Sequence, residues 1–412
     1  MFLKDLKDKT IGMCVSGGLD SKTVTKKLME EGYKVICFSA DLAQPDEDDI
    51  SNVIKKMEPC GAETVIVDLK EEMANICFET IKASATYDGG YWNTTGIARA
   101  VTVQGLIKAM KARGVNVLAH GATGRGNDQM RFERYTQSLA PEMDVFAPWR
   151  DPDLLEEFPG RSEMADYLAQ FDIPAVIGMK KKYSTDANLA GLSHEAEDLE
   201  SLETSCLIVE PTMGVWPQDA PDSIEEITIR YEAGYAVEIN GKAVTPFEAM
   251  TLVNEIGGRN GIWMKNALEN RIIGTKSRGV YEAPGMEVLN QGLQQILQAT
   301  LDRRACAIYE QMGRVISDNV YDGRYFDEST KAAQAAINTL TASASGTVKL
   351  GLYKGNIFFV SMTDVTASLY NEEDSSMEAS DGLNPVSSQG YADIISVEAQ
   401  ALAKAGQFEG DS

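Results

Sequence analysis

Thr10-Ile11-Gly12-Met13-Cys14-Val15-Ser16-Gly17-Gly18-Leu19-Asp20-Ser21 is an apolar run that stops at two glycines and restarts as a helix. Residues 10–15 read as a short buried strand. Leu19 to Glu31 then carries Val24, Leu28 and Met29 at helical spacing and ends at Gly32. Two glycines between strand and helix let main-chain N–H groups approach an anion, and a helix N-terminus adds donors and a favourable dipole. The serine hydroxyls are further donors, while Asp20 either caps the helix or meets a magnesium ion; a plain capping turn has the same spelling. The stretch is neither GxGxxG nor GxxxxGK[ST], so neither Rossmann nor Walker chemistry is indicated.

Working outward, the alternation repeats. Lys34 to Ala40 is a second apolar run, followed by an acidic helix start at Asp46-Glu47-Asp48-Asp49. Thr64 to Val67 leads into a helix from Glu71, and a turn at Gly89-Gly90 precedes a long helix from about Ile97 to Lys111. Val115 to Ala119 is another buried strand, opening directly into Gly121-Ala122-Thr123-Gly124-Arg125-Gly126-Asn127-Asp128. Strand–helix units of this kind predict an α/β fold with a doubly wound parallel sheet, and both glycine-rich loops leave it on the carboxyl edge, where ligands gather. From about Asp172 strands and helices mix. Ile227 to Ile239 with Asn240-Gly241 reads as a strand pair with a turn, 286–340 as largely helical, and 347–361 as a hairpin around Lys354-Gly355-Asn356. Glu398 to Gly406 reads as a short Ala-rich helix. The expected division is a nucleotide-binding domain over 1–170, an α+β domain over 171–395 and a C-terminal arm over 396–412.

The chain has 412 residues, with 62 Asp plus Glu against 38 Lys plus Arg, a formal charge of −24. That excess argues against a nucleic-acid partner, which needs a basic face, but not against small anions held by backbone N–H groups. Six scattered cysteines without a CxxC pair predict free thiols, and two histidines leave no His-rich metal centre. Residues 1–10 have no apolar core of signal-peptide length, and no apolar run is long enough to span a membrane. The expectation is a soluble cytoplasmic protein without membrane partners.

Ser16-Gly17-Gly18-Leu19-Asp20-Ser21 resembles the SGGxDS loop of the N-type ATP pyrophosphatases, enzymes of the adenine nucleotide alpha hydrolase-like fold. His120-Gly121-Ala122-Thr123-Gly124-Arg125-Gly126-Asn127-Asp128-Gln129-Met130-Arg131-Phe132-Glu133 resembles the GATGKGNDQVRFE box of the argininosuccinate synthase family. Its hydroxyl, amide, carboxylate and guanidinium suit an amino acid bearing both ammonium and carboxylate. Tyr91-Trp92-Asn93-Thr94-Thr95 with Arg99, Tyr183 to Leu189 with Ser193-His194-Glu195, and Glu269-Asn270-Arg271 with Lys276 to Tyr281 resemble further blocks of that family in the same order. The spelling is most similar to the bacterial branch.

The resemblance implies ATP as a substrate with Mg²⁺, citrulline and aspartate as the other substrates, and a ligation through citrulline-adenylate in arginine biosynthesis. It also implies a homotetramer in which the C-terminal segment is an oligomerisation arm, though a frayed tail reads equally well. Carried over residue by residue, Cys14, Val15, Ser16, Gly17, Gly18, Leu19, Asp20, Ser21, Lys22, Ala40, Gly121, Thr123, Asp128 and Asp186 contact ATP. Thr95, Thr123, Asn127 and Asp128 hold aspartate. Tyr91, Asn127, Arg131, Ser184, Ser193, Glu195, Glu269 and Tyr281 hold citrulline. Asp128, Arg131 and Asp20 are the candidate catalytic residues, with Asp128 accepting a proton from the aspartate ammonium; no residue is assigned as a dedicated metal ligand. Read without the resemblance, Tyr91 and Tyr281 are equally half-buried aromatics, Glu195 and Glu269 surface carboxylates, and Arg131 a partner of Asp128 or Glu133. His194 is left without a role.

The chain departs from the family pattern at four places. Lys22 stands where a hydroxyl is expected and either pairs with phosphate or points to solvent. Arg125 replaces a lysine, Gly96 a serine that helps hold citrulline, and Ala100 a proline. A paralogue with a different ureido or amide acceptor is the main rival reading. A tRNA-modifying pyrophosphatase and a catalytically silent nucleotide-binding protein are the others.

Overall fold

The structure is a computed structural model that describes residues 1–124, 126–174, 183–262, 264–375 and 384–407; Arg125 and the last five residues of the expected arm lie outside them. The first part runs β1 (Thr10–Cys14), α1 (Leu19–Glu30), β2 (Lys34–Asp41), α2 (Asn52–Met57), β3 (Glu63–Asp68), α3 (Lys70–Lys82), α4 (Thr94–Lys111), β4 (Val117–His120), α5 (Asp128–Leu139) and β5 (Asp144–Phe146). The strands form one parallel sheet in the order β3-β2-β1-β4-β5. Winding reverses between β1 and β4, so the two glycine-rich loops that follow these strands flank the crevice of the switch point.

Alternation along β1 decides what covers each face. Ile11 and Met13 join Leu28, Val53 and Leu168 on one side. Gly12 faces the other way, where a Cβ would stand 2.8 Å from the Met110 thioether of α4. The acidic run at 46–49 precedes α2 instead of starting it: Asp49 accepts from the Ser51 N–H at 2.9 Å, and the helix begins one residue later. α4 starts three residues earlier than its apolar spacing suggests, after Asn93 in a left-handed conformation.

The chain continues through α6 (Pro152–Glu157), α7 (Arg161–Ala169), β6 (Ser184–Asn188), β7 (Gly191–Glu195), β8 (Glu225–Glu232), β9 (Tyr235–Ile239), β10 (Lys242–Ala243), α8 (Pro246–Arg259), β11 (Met264–Asn270) and β12 (Lys276–Glu282). It then forms α9 (Pro284–Thr300), α10 (Arg303–Tyr321), α11 (Glu328–Thr341), β13 (Gly346–Tyr353) and β14 (Asn356–Thr363). The run 227–239 contains a turn the alternation did not reveal, at Ala233-Gly234, before the one at Asn240-Gly241. Two antiparallel sheets result, β10-β9-β8-β13-β14 and β11-β12-β7-β6. α10 starts at a strong cap, with Asp302 accepting from the Arg304 and Ala305 N–H groups at 2.7 and 3.0 Å.

One hydrophobic core joins the two parts. Phe38, Phe78, Ile97 and Val103 belong to the same cluster as Ile229, Val253, Leu293 and Leu350, because α3 packs on α8 and α9. Residues Met1–Thr366 form one compact unit and Ala367–Ser412 a second. The second holds α12 (Glu372–Ser375) and α13 (Ser387–Lys404), a longer helix than its Ala-rich end suggests, with Tyr391, Ile394, Ile395 and Val397 exposed. Among the described residues no helix is long and apolar enough to cross a membrane. All six cysteines are free.

Candidate active site

After β1 the chain leaves the sheet, although the Val15 N–H still reaches the Phe38 carbonyl at 2.9 Å. Gly17 takes φ +75°, and α1 begins after Gly18 without a side-chain cap, leaving its first N–H groups without side-chain partners at the edge of a cleft. Ser21 Oγ accepts from the Ser16 N–H at 3.2 Å and ties the ends of the loop together. Lys56 of α2 lays its methylenes across Gly17, where a Cβ would stand 3.0–3.1 Å from Lys56 Cδ and Cβ; its ammonium pairs with Glu47 at 2.7 Å. Gly17→Ala is thus opposed by both backbone strain and Lys56, and we expect it to raise the KM for ATP about ten- to thirtyfold. An unchanged KM in initial-rate measurements would separate this loop from phosphate binding.

The cleft has a volume of about 510 Å³. Ser16, Asp20 and Ser21 stand along it with Cys14, Val15 and Ala40, and Phe38, Leu42, Val53 and Leu106 supply an apolar wall suited to a purine. Burial raises the Asp20 carboxyl above its usual value. Two expected ATP contacts point elsewhere. Leu19 is buried in the core, and the Lys22 ammonium donates to the Pro174 carbonyl at 3.0 Å, neither free in solvent nor lining the cleft.

A second pocket, of about 300 Å³, adjoins the first and shares Arg99, Gly121, Ala122, Thr123, Asp128, Thr185 and Asp186 with it as a common wall. The seam is an ionic lattice. Arg99 Nε donates to Asp128 at 2.9 Å and its Nη2 to Asp186 at 2.7 Å, where the Thr95 hydroxyl also donates. Arg131 Nη1 donates to the other oxygen of Asp128 at 2.9 Å. Burial works against charge on Asp128, but the two guanidiniums win and hold its carboxyl below the usual range. A carboxylate with both oxygens engaged and a lowered pKa is unsuited to the proton-accepting role expected from the sequence; it is a charge partner for two arginines.

The sheet β11-β12-β7-β6 supplies the pocket's other wall. Ser193 and Glu195, two apart on β7, share a face, while Ser184 and Asp186 are their register partners on β6. Glu269 projects from β11, and Tyr281 of β12 donates a hydrogen bond to it from behind the lining. Gly279 makes that possible, since a Cβ there would stand 2.3 Å from the Tyr281 hydroxyl. Tyr91 stacks on Tyr281 at 4.1 Å; its oxygen accepts from the Thr95 N–H at 3.0 Å, so its own proton is available to the pocket. Burial and then the neighbouring Glu195 push the Glu269 carboxyl up to about 7, and burial followed by Asp186 and Asp128 raises Glu195. The buried Glu269 and half-buried Glu195, which repel each other, share the pocket with Asn127 and Arg131 and form a socket with one end for an ammonium and the other for a carboxylate.

Two family models match the chain: the arginosuccinate synthase N-terminal HUP domain over residues 10–174 and the arginosuccinate synthase C-terminal domain over residues 183–402. The chain belongs to the argininosuccinate synthase family. The argininosuccinate synthase of Rhodopirellula baltica is 38% identical over 389 residues, covering 94% of this chain and 96% of the relative. That of Idiomarina loihiensis is 35% identical over 410 residues, covering 98% and 99%.

Within this argininosuccinate synthase family chain, six lining residues carried no role in the sequence reading: Arg99, Ala122, Gly126, Thr185, Arg271 and Ser277. A further participant, Tyr321, lies behind the lining on α10, where its hydroxyl accepts from the Asn127 amide at 2.9 Å and stands beside Glu269. Nothing near Tyr321 in sequence marks it. Gly96 sits against that helix: a Cβ there would press on Val320 Cγ1 at 3.1 Å and on its carbonyl at 3.2 Å, so the family's serine would need α10 to give by a few tenths of an ångström. His194 turns to the opposite face of β7, where its Nε2 meets Glu282 at 2.8 Å, and Glu282 also accepts from the Thr212 and Met213 N–H groups. Its role is to hold strands and loop together.

Proposed function

We propose that this protein joins L-citrulline to L-aspartate with ATP, giving argininosuccinate, AMP and pyrophosphate. The observation that carries the reading is the pair of adjoining pockets with a shared wall, with an N–H-rich loop at one end and a zwitterion socket at the other. In the first step the ureido oxygen of citrulline attacks the α-phosphorus, the bond to the bridging oxygen breaks, and pyrophosphate leaves with the electron pair. The loop of Ser16 to Ser21 faces that departing charge with main-chain and hydroxyl donors. In the second step the aspartate amine attacks the ureido carbon and AMP leaves. Thr95, Thr123 and Asn127 line the space for aspartate, and Arg99 and Arg131 stiffen it through Asp128. Most of this catalysis is positioning.

Magnesium fits the nucleotide end. Asp20, Asp46 and Glu47 border the cleft, and among the described residues no group of three or more metal-ligating side chains is preformed, which suits an ion taking most ligands from phosphate and water. Asp20 would hold it, and the ion would supply neutralisation of phosphate charge. We further read the enzyme as cytoplasmic, in arginine biosynthesis, without nucleic-acid or membrane partners, in keeping with its charge of −24. A homotetramer is supported by the exposed apolar side chains of α13. The domains are read as 1–170 for nucleotide, 171–395 for synthesis and assembly, and 396–412 as the arm.

The test uses citrulline labelled with heavy oxygen in its ureido group, with ATP, Mg²⁺ and aspartate. Label in AMP together with argininosuccinate is the expected result. Pyrophosphate release that ignores citrulline would move the substrate elsewhere, and no release with any amino acid would leave a binding protein.

A further inference from the structure

We infer that Tyr321, the last residue of α10, is a positioning residue that sets both ends of the acceptor's α-amino-acid group, by fixing the Asn127 amide and the Arg131 guanidinium at one end and the Glu269 carboxylate at the other. The inference rests on the reading that this socket takes citrulline.

The hydrogen-bond directions follow from one donor that has no choice. The Ile272 main-chain N–H donates to Asn127 Oδ1 at 3.1 Å, so the Asn127 nitrogen must turn the other way. There it donates to the Tyr321 hydroxyl at 2.9 Å. The hydroxyl oxygen is thereby used as acceptor, and its proton is left to turn to the neighbouring Glu269 carboxylate. A chain of single-direction bonds thus runs from the loop after β11 through Asn127 to Tyr321, whose hydroxyl faces Glu269 of β11. The rest of Tyr321 fixes Arg131: the Tyr321 carbonyl accepts from Arg131 Nε at 2.9 Å, and the guanidinium lies 5.0 Å from the centre of its ring. With Nη1 on Asp128, the remaining Arg131 nitrogen is Nη2. Tyr87 stacks on the far side of the ring at 3.8 Å, so the ring cannot swing away. One residue therefore reaches the anionic and the cationic ends of the socket without lining it.

Tyr321→Phe removes only the hydroxyl and leaves the stacking, the ring under Arg131 and the main-chain carbonyl in place. The expected result is a KM for citrulline raised about ten- to thirtyfold, with kcat and the KM values for ATP and aspartate within about twofold of wild type. A second readout separates positioning from bulk stability. Glu269 is faced by Glu195, Arg131, Arg271, Tyr281 and Tyr321, and the hydroxyl of Tyr321 lowers its pKa. Losing that hydroxyl shifts the acid limb of kcat/KM for citrulline to higher pH. Tyr309→Phe is the matched control on the same helix: its buried hydroxyl donates to the Lys82 carbonyl at 2.8 Å, away from the pocket, and its loss leaves the citrulline KM and pH profile unchanged.

A citrulline KM within twofold of wild type in Tyr321→Phe, or an equal rise in all three KM values with an unmoved acid limb, overturns the inference. The wild-type enzyme is assayed first. Absence of citrulline-dependent pyrophosphate release sinks the functional reading itself, and Tyr321 is then judged by the same criteria on whichever amino acid triggers release.

Discussion

Asp128→Ala is expected to lower kcat/KM for citrulline and aspartate by at least about a thousandfold and to destabilise the protein as well. Both effects come from the two guanidiniums. Arg99 and Arg131 are 18% and 4% exposed as side chains, and Asp128 is the acceptor they share. Removing it leaves Arg131 with the Tyr321 carbonyl alone and Arg99 with Asp186 alone. Breaking one partner out of a buried pair costs about 3–5 kcal/mol, and roughly the lower figure applies because a quarter of the Asp128 side chain remains exposed. Misplacement of both arginines removes the wall between nucleotide and amino acid, which is where orientation matters most. Initial rates and thermal melting test the two halves separately. Asp128→Asn keeps the shape, so it is expected to melt closer to wild type while remaining inactive. Ordinary product formation by either variant would remove Asp128 from the site.

Glu269→Gln is expected to reduce kcat/KM for citrulline by about a hundredfold and to abolish its acid limb. In the free enzyme Glu269 titrates near 7, pushed up by burial and by Glu195. Below that pH it is neutral and offers an ammonium no charge; above it the carboxylate binds. The wild-type kcat/KM for citrulline should therefore rise through pH 7 with a slope near one and then level off. Glutamine has no proton to lose, so the profile flattens at the low level. Stability runs the opposite way: the contribution of this raised carboxyl is fully present below its unfolded-state pKa and is lost as pH rises through 7. Citrulline should therefore stabilise the protein more at pH 8 than at pH 6. An acid limb that survives in Glu269→Gln would assign the titration to another group.

The sequence was most informative where local rules act. Short apolar runs located β1, β2, β3 and β4, because strands of a parallel sheet covered on both faces read as near-continuous apolar stretches, and the β1 run also ends at a glycine pair. The position of both glycine-rich loops on one edge followed from parallel winding. The residues of the socket were named through resemblance, yet their partners were not. Gly279 looks like an ordinary strand glycine until Tyr281 is seen folded over it. Tyr321 lies almost two hundred positions from Asn127 and Arg131, and no periodicity links them; only the crossing of α10 over Gly96 brings them together. The turn at Ala233-Gly234 was hidden because the alternation of Ile227, Ile229 and Tyr231 resumes in phase at Tyr235, Val237 and Ile239 beyond it.

The shared core has a consequence for how the chain is made. Everything needed for the parallel sheet has left the ribosome once Phe146 emerges. At that moment the outward face of α3 has nothing to cover it, since α8 and α9 are still to be translated. The nascent chain is a nucleotide-binding half that carries an oily flank and has no acceptor pocket, because the wall from Ser184 to Ser277 comes later. Such an intermediate cannot spend ATP on ligation, but it invites sticking to other chains. Synthesis of this enzyme thus has a window in which an apolar flank stands uncovered until α8 and α9 arrive.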